Sequence, residues 1–497
     1  MTTDAAFTEL SACLRRTHLL DSIGQLLGWD EQVNLPADSA DLRAEQLAVL
    51  AEIQNAAAAN PRTGELLALL EPSDLEADQV AVVRQARRDY DRATRLPPDF
   101  VREKAMQASR GYHAWARARA ENNFASYAPV LEQNLEIARR EAGYLGWAGR
   151  EYDYMIDLHD PGMSAELIAR LFAELKTGLV PLVRQITGSP VRARTDLLRG
   201  FPVEGQRAFL REVTARLGFD YRRGRIDVSL HPFCSGTGAD IRMTTRFNAD
   251  EPLDALFSSI HETGHGLYEQ GLPRAHHGTA LGMNAGMGVH ESQSRLWENQ
   301  VARSRGFWRH FEPRFRALFP AQTGGVSADE LYLAINAVVP TLIRVDADEV
   351  TYNLHVILRF EIERRLFAGT LAVRDLPAAW TAAAQELLGL TPGSDREGVL
   401  QDVHWSGGAF GYFPSYCLGN MMAAQLWYRA LALRPDLEAD FARGDFTWLL
   451  GWLRREVHAA GRRHELPELV RRVTGAAFSP QPLLRYLRER YGPLFPA

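Results

Sequence analysis

Chemistry is concentrated in the segment LFSSIHETGHGLYEQGL, where His261 and His265 stand four residues apart and Glu262 follows the first of them. On a helix, residues at i and i+4 share a face, so both imidazoles can reach one metal ion with the glutamate beside it. A carboxylate in that position can take a proton from a metal-activated water and hand it to a leaving amine, which is the chemistry of peptide-bond hydrolysis. The competing reading is a surface helix that carries two histidines without function, because HExxH also arises by chance. A third ligand decides between the two. It is not a histidine in the pattern HExxHxxGxxH, since Tyr268 occupies the glycine position and Gly271 the histidine position.

A glycine-rich bend, LGMNAGMGV, leads instead into HESQSRLWEN, a stretch of helix-forming composition. Glu291 there can complete a His, His, Glu set from a second helix, and such a set leaves a fourth position for water, as catalytic zinc requires. Glu298 is the competing carboxylate, and spacing alone favours Glu291 over it. Zinc is the expected ion, one per chain. Cobalt or manganese could replace it, because ligand type narrows the metal without fixing it.

Together, HETGHGLYEQGL and GVHESQSRLWEN resemble the M32 family of metallocarboxypeptidases, the Taq carboxypeptidase type. The resemblance runs nearly the length of the chain. LLGWDEQVNLPADSADLRAEQLAVL near the start, YDYMIDLHDPGMS around Pro161, HPF at His231 to Phe233, DIRMT at Asp240 to Thr244, IRVDADEVTY at Ile343 to Tyr352 and GVLQDVHW at Gly398 to Trp405 follow in family order. It implies that Glu291 is the third ligand and that the protein is a homodimer. It also implies zinc-dependent removal of C-terminal amino acids from peptides with a free C-terminus. Gly266 departs from the family, which more often has alanine there; the change should loosen the helix slightly and touches no ligand.

A carboxypeptidase must hold a terminal carboxylate one residue beyond the scissile bond, and the guanidinium fork matches that group in shape and charge. The resemblance implies this role for the arginines of IRVDADEVTY and DIRMT, Arg344 first and Arg242 second. Without it, each arginine reads as a salt bridge to a nearby aspartate. Asp240, Arg242 and Thr244 fall on one face of a predicted strand, and His231 and Cys234 lie around the same turn. Asp240, His231 and Gln401 complete the expected substrate-binding set. A strand edge here could also pair with a peptide backbone. Cys234 and His231 do not make a cysteine protease, since no third orienting residue is recognisable.

In QDVHWSGGAFGYFPSYCLGN, a protonated His404 or the Tyr412 hydroxyl is expected to stabilise an oxyanion. Tyr416 is an equal candidate, and the alternative is that Trp405, Phe410, Tyr412 and Phe413 are core aromatics. Gln401 and Asp402 are placed to orient a ligand or His404. Two other functions compete: a zinc oligopeptidase that cuts internal bonds of short peptides, and a helical binding protein that keeps the metal motif without its chemistry.

These residues need mostly helices to carry them. Apolar residues recur at three and four from Thr8 to about Leu70 and from Glu76 to Tyr144, with breaks at Leu35-Pro36, Asn60-Pro61, Leu96-Pro97-Pro98 and Asp160-Pro161-Gly162. Helices are predicted from Leu253 to Glu269, His290 to Phe311 and Thr341 to Phe367. RIDVSL and IRMTTRF alternate around FCSGTGAD and predict a small antiparallel hairpin. The expected architecture is therefore mainly α: one large helical domain over 1–497, with a small antiparallel hairpin or sheet beside the HExxH helix and a deep substrate groove. Within it, 1–150 forms a helical lid or dimerisation region and 225–420 the catalytic core. The formal charge of -6, from 56 basic and 62 acidic side chains, provides no field for nucleic acid or an anionic membrane. Three scattered cysteines, no leader-like start and no run of about 18 apolar residues lead to the expectation of a cytoplasmic protein.

Overall fold

The computed structural model describes residues 1–496, which form a mainly helical protein with one three-stranded sheet. Helix limits follow proline and capping signals. The first helix, Thr3–Val33, starts where the Thr2 side chain accepts from Ala5 N and stops just before Leu35-Pro36. Asn60 caps Pro61–Leu70, the Ala77–Arg95 helix ends at the double proline, and Glu151–Asp157 ends before Pro161. All four expected breaks thus coincide with helix ends. Among the described residues no helix is long and apolar enough to cross a membrane.

The chain divides into two compact units, each assembled from three sequence segments. The first comprises Met1–Thr94, Arg194–Ile335 and Leu426–Ala476; the second comprises Arg95–Ala193, Asn336–Gln425 and the segment from Ala477. The stretch 1–150, read from sequence as one region, is divided between them at Thr94.

The first unit contains the sheet: β1 (Gly224–Val228), β2 (Cys234–Thr237) and β3 (Asp240–Thr245), in the order β1-β3-β2. An antiparallel hairpin is present, but it joins CSGT to DIRMTT, whereas RIDV pairs parallel to β3 with Arg225 opposite Arg242. The cause lies between the strands. The Thr244 hydroxyl accepts from Phe233 N (3.0 Å) and from Ser229 Oγ (2.7 Å), which folds the His231 to Phe233 turn across β3 and returns the chain on its far side. Ile241 and Met243 face the core, packed against the helix Pro252–Gly271.

In the second unit the helix Tyr352–Phe367 is buried on nearly every face, so it lacks an amphipathic stripe. It also starts later than expected. Arg344–Asp346 is an isolated 3₁₀ turn, because the Asp348 carboxylate accepts from Val350 N and Thr351 N and draws those groups away from a helix.

Candidate metal centre

Two helices of the first unit build the centre. Pro252 opens the first at a position where its missing N–H costs nothing, Asp254 lies in the first turn, and the chain leaves it through extended Leu272. The second, Met287–Arg295, continues as a π-helical turn over Leu296–Val301 and ends before a new helix capped by Ser304, so the expected helix from His290 to Phe311 is three pieces. The two cross closely because residue 264 is glycine: a Cβ there would lie 2.5 Å from Ser294 Cα and 2.6 Å from the Gln293 carbonyl oxygen.

That crossing brings three donor atoms together. His261 Nε2 and His265 Nε2 are 3.2 Å apart, and Glu291 Oε2 is 3.6 and 3.5 Å from them. A tetrahedral ion with bonds of ~2.0–2.1 Å has its donors ~3.3 Å apart, so the triangle fits zinc. Among the described residues this is the one His, Cys, Asp or Glu group whose donor atoms lie close enough to share an ion.

The surrounding hydrogen bonds orient each donor. His261 Nδ1 lies 2.8 Å from Glu298 Oε2, so the ring donates there and turns the Nε2 lone pair inward. Glu298, the rival third ligand, therefore touches the opposite nitrogen of the ring. His265 Nδ1 lies 2.5 Å from His290 Nδ1, and His290 Nε2 lies 3.0 Å from Glu269 Oε1. The tautomers are consistent throughout: His265 donates to His290, and His290 donates to Glu269. Arg295 Nε donates to Glu291 Oε1 (2.7 Å), which leaves Oε2 directed at the histidines. Glu269 and Arg295 escaped the sequence reading, although Glu269 is four residues beyond His265 and Arg295 four beyond Glu291, so each shares a face with a ligand.

Charge states follow from this packing. Burial and neighbouring His290 lower His265 to about 3, which keeps it neutral, the state a ligand needs. Burial alone would raise Glu291, but Arg295, His261 and His265 outweigh it and hold the carboxyl well below its ordinary value. Glu262 is 7% exposed. Burial pushes it up to about 7, with Glu291 and Glu298 adding to the shift and His261 and His290 opposing it.

Comparison with known proteins decides the family. The family model described as Carboxypeptidase Taq (M32) metallopeptidase matches residues 9–491. Thermostable carboxypeptidase 1 of Thermus thermophilus is 43% identical with full coverage of both chains, and carboxypeptidase 1 of Bacillus subtilis is 36% identical over 97% of each. The crystal structure of an M32 carboxypeptidase from Deinococcus radiodurans R1 superposes with a TM-score of 0.96 at 46% identity, covering 99% of this chain and 100% of that one. The chain belongs to the M32 family.

The remaining M32 motif residues fall into two groups. In the first unit, Arg242 donates to both oxygens of Asp240 (Nε to Oδ1 3.1 Å, Nη2 to Oδ2 2.9 Å) and lies over the Trp29 ring at 4.1 Å. Arg242 and Asp240 thus form a salt bridge through Nε and Nη2, with Nη1 of Arg242 outside it. His231 is exposed on its turn. Burial pushes the Cys234 thiol well up, and Glu262 and Glu269 add to it, so it is no nucleophile. Gly266 has a packing reason: a Cβ there would lie 2.8 Å from Phe219 Cε2.

In the second unit Arg344, Gln401 and Asp402 come together. Arg344 is 6% exposed and donates through Nε to Asp402 Oδ1 (2.9 Å) and through Nη1 to Tyr352 Oη (3.0 Å); Nη2 also lies 2.9 Å from Asp402 Oδ1. One N–H on each terminal nitrogen keeps no protein acceptor among the described residues. Gln401 Oε1 accepts from Arg344 N and Arg359 Nη2, and Nε2 donates to the Leu342 and Glu397 carbonyls. With every bonding position used, Gln401 supports Arg344 and has nothing left for substrate. His404 packs against Tyr412 and Phe413 at 5.4 and 4.5 Å between ring centroids, and its Nε2 lies 3.5 Å from Tyr416 Oη. Burial lowers it to about 4, against the pull of Asp402, which favours the neutral imidazole near pH 7.

Proposed function

We propose that this metallocarboxypeptidase carries zinc on His261, His265 and Glu291, uses Glu262 as general base and holds the terminal carboxylate of its substrate with Arg344. The donor triangle with a buried carboxylate beside it is the observation that carries the proposal. Bound there, zinc would polarise the scissile carbonyl and raise the acidity of the attacking water.

The protein's own groups supply the rest. Glu262, lifted to about 7, is matched to accept a proton on its carboxylate and return it to the leaving nitrogen. Glu298 and the Glu269 and His290 pair hold the ligand tautomers. Arg344 is preferred over Arg242 as the anchor, because its side chain is the more buried of the two (7% against 19% exposed), and in a buried setting a charge-assisted bond to a carboxylate is strong. Tyr412 or Tyr416 supplies the hydroxyl donor to the oxyanion, in place of a protonated His404. Family membership also supports a homodimeric, cytoplasmic enzyme, which light scattering and cell fractionation check.

The deciding experiment compares a free-acid peptide with its C-terminally amidated form, with chelator and with added zinc, by mass spectrometry. Stepwise loss of single residues from the free acid alone, abolished by chelator and restored by zinc, is the expected outcome. Cutting of both peptides at the same internal bond would refute the carboxypeptidase reading.

A further inference from the structure

Two buried ionisable side chains take no part in the chemistry above. Arg359 and Glu363 lie one turn apart on the same face of the Tyr352–Phe367 helix, each 0% exposed. Buried ions are tolerated only when paired and hydrogen-bonded, so what they bind shows what they hold in place.

Arg359 donates through Nε to Asp402 Oδ2 (2.7 Å), through Nη2 to Gln401 Oε1 (2.7 Å) and through Nη1 to the His355 carbonyl (2.9 Å). Asp402 and Gln401 are the groups that grip Arg344, by its side chain and its backbone N–H respectively. Tyr352, seven residues before Arg359 on this face, completes the grip. One turn beyond Arg359, Glu363 accepts from Trp405 Nε1 (2.6 Å), Gly411 N (2.9 Å) and Tyr152 Oη (2.9 Å). Gly411, at φ +72°, presses on the Glu151–Asp157 helix so closely that a Cβ would lie 2.4 Å from the Met155 carbonyl carbon. The segment from Gln401 to Gly411 is thus pinned at both ends to one helix face.

We infer that Arg359 and Glu363 are positioning residues of the subsite for the terminal carboxylate. Arg359 sets the Arg344 guanidinium through Asp402 and Gln401, and Glu363 sets the segment that carries His404 and leads into Tyr412. The inference rests on the proposed role of Arg344. A brace needed only for stability gains nothing from charge, since well-packed apolar residues hold a core at lower cost. Two guanidinium forks directed at the two oxygens of one carboxylate fix orientation as well as distance. They also leave an excess of positive charge, which suits an anionic ligand.

The test is a double-mutant cycle on the full-length, zinc-loaded enzyme with a free-acid peptide. Arg359→Lys and Glu363→Gln are each made alone and in the Arg344→Ala background, with zinc content and thermal unfolding recorded for every variant. Each single change is expected to raise KM about tenfold or more while kcat moves less than about threefold, with zinc content unchanged. In the Arg344→Ala background the same change should add less than about twofold. Should Arg359→Lys fail to fold, Gln401→Met, which removes the acceptor shared by the two arginines, enters the same cycle with the same expectations. A raised KM in Arg344→Ala beside a wild-type KM in Arg359→Lys and Glu363→Gln, or equal effects in both backgrounds, overturns the inference alone. An unchanged KM in Arg344→Ala overturns the anchor reading and this inference with it.

Discussion

An alanine at position 264 would place a methyl carbon 2.5 Å from Ser294 Cα, 2.6 Å from the Gln293 oxygen and 2.9 Å from Ser294 N. Comfortable contact begins at about 3.5 Å, and all three neighbours are backbone, so no side chain can swing aside and the helices must part by about 1 Å. Glu291 lies three residues from Ser294 on the displaced helix, and its Oε2 is already 3.5 and 3.6 Å from the two histidine nitrogens. A further ~1 Å far exceeds the ~0.2 Å tolerance of a metal site. Helix propensity works the other way, since Gly to Ala gains up to about 1 kcal/mol, but overpacking against backbone costs about 1–3 kcal/mol and should win. Gly264→Ala is therefore expected to weaken zinc binding about 10- to 100-fold, the scale on which misoriented ligands lose affinity, read by competition with a chromophoric chelator. Gly266→Ala is the control. Its closest neighbours are the Phe219 ring at 2.8 Å and Met243 Sδ at 3.2 Å, side-chain atoms that can yield, so zinc affinity should stay within about twofold. Wild-type zinc affinity in Gly264→Ala, or an equal loss in Gly266→Ala, would show that the close helix crossing does not set the donor triangle.

Glu262→Gln should keep its zinc and lose turnover about 10²- to 10⁴-fold; a variant that still hydrolyses peptide at the wild-type rate would remove Glu262 as general base. Glu291→Gln should release zinc on dialysis, whereas Glu298→Gln, which disturbs only the outer nitrogen of His261, should lower zinc affinity about 10- to 100-fold; indistinguishable zinc retention would contradict their separate roles. Burial lifts Glu363 from 4.5 to about 7, against the donors Trp405, Gly411 and Tyr152 and the charge of Arg359. Because the folded value is the higher one, its contribution to stability is complete below about pH 4.5 and is lost as pH rises through about 7, by at most about 3 kcal/mol. Thermal unfolding followed across that window should show a decline that Glu363→Gln flattens, and parallel curves for the two proteins would refute the assignment.

What the sequence reveals here, and what it hides, follows the range of the forces involved. The spacing of His261 and His265 and the breaks at Pro36, Pro61, Pro97 and Pro161 are local, set by helix period and by proline itself, and they read directly. The third ligand is different. Glu291 and Glu298 stand seven residues apart on the same helical run, and the distinction between them rests on which ring nitrogen of His261 each one meets, a consequence of the Gly264 crossing. Spacing favours Glu291 and family resemblance names it, but neither contains the crossing that separates it from Glu298. Strand direction fails for a similar reason, because the parallel pairing of β1 with β3 depends on the Thr244 hydroxyl drawing in residues 229–233. The polar face of Tyr352–Phe367 is the extreme case. In YNLHVILRFEIERRLF, Arg359 and Glu363 have the same appearance as the surface pair Glu361 and Arg364, and only burial among Asp402, Gln401 and Trp405 separates them. A charged residue on a helix is solvent-facing by default, and reading it so is right most of the time. The exceptions are the positions where a fold has had to satisfy a buried charge, and in this protein those positions surround the arginine proposed to hold the substrate.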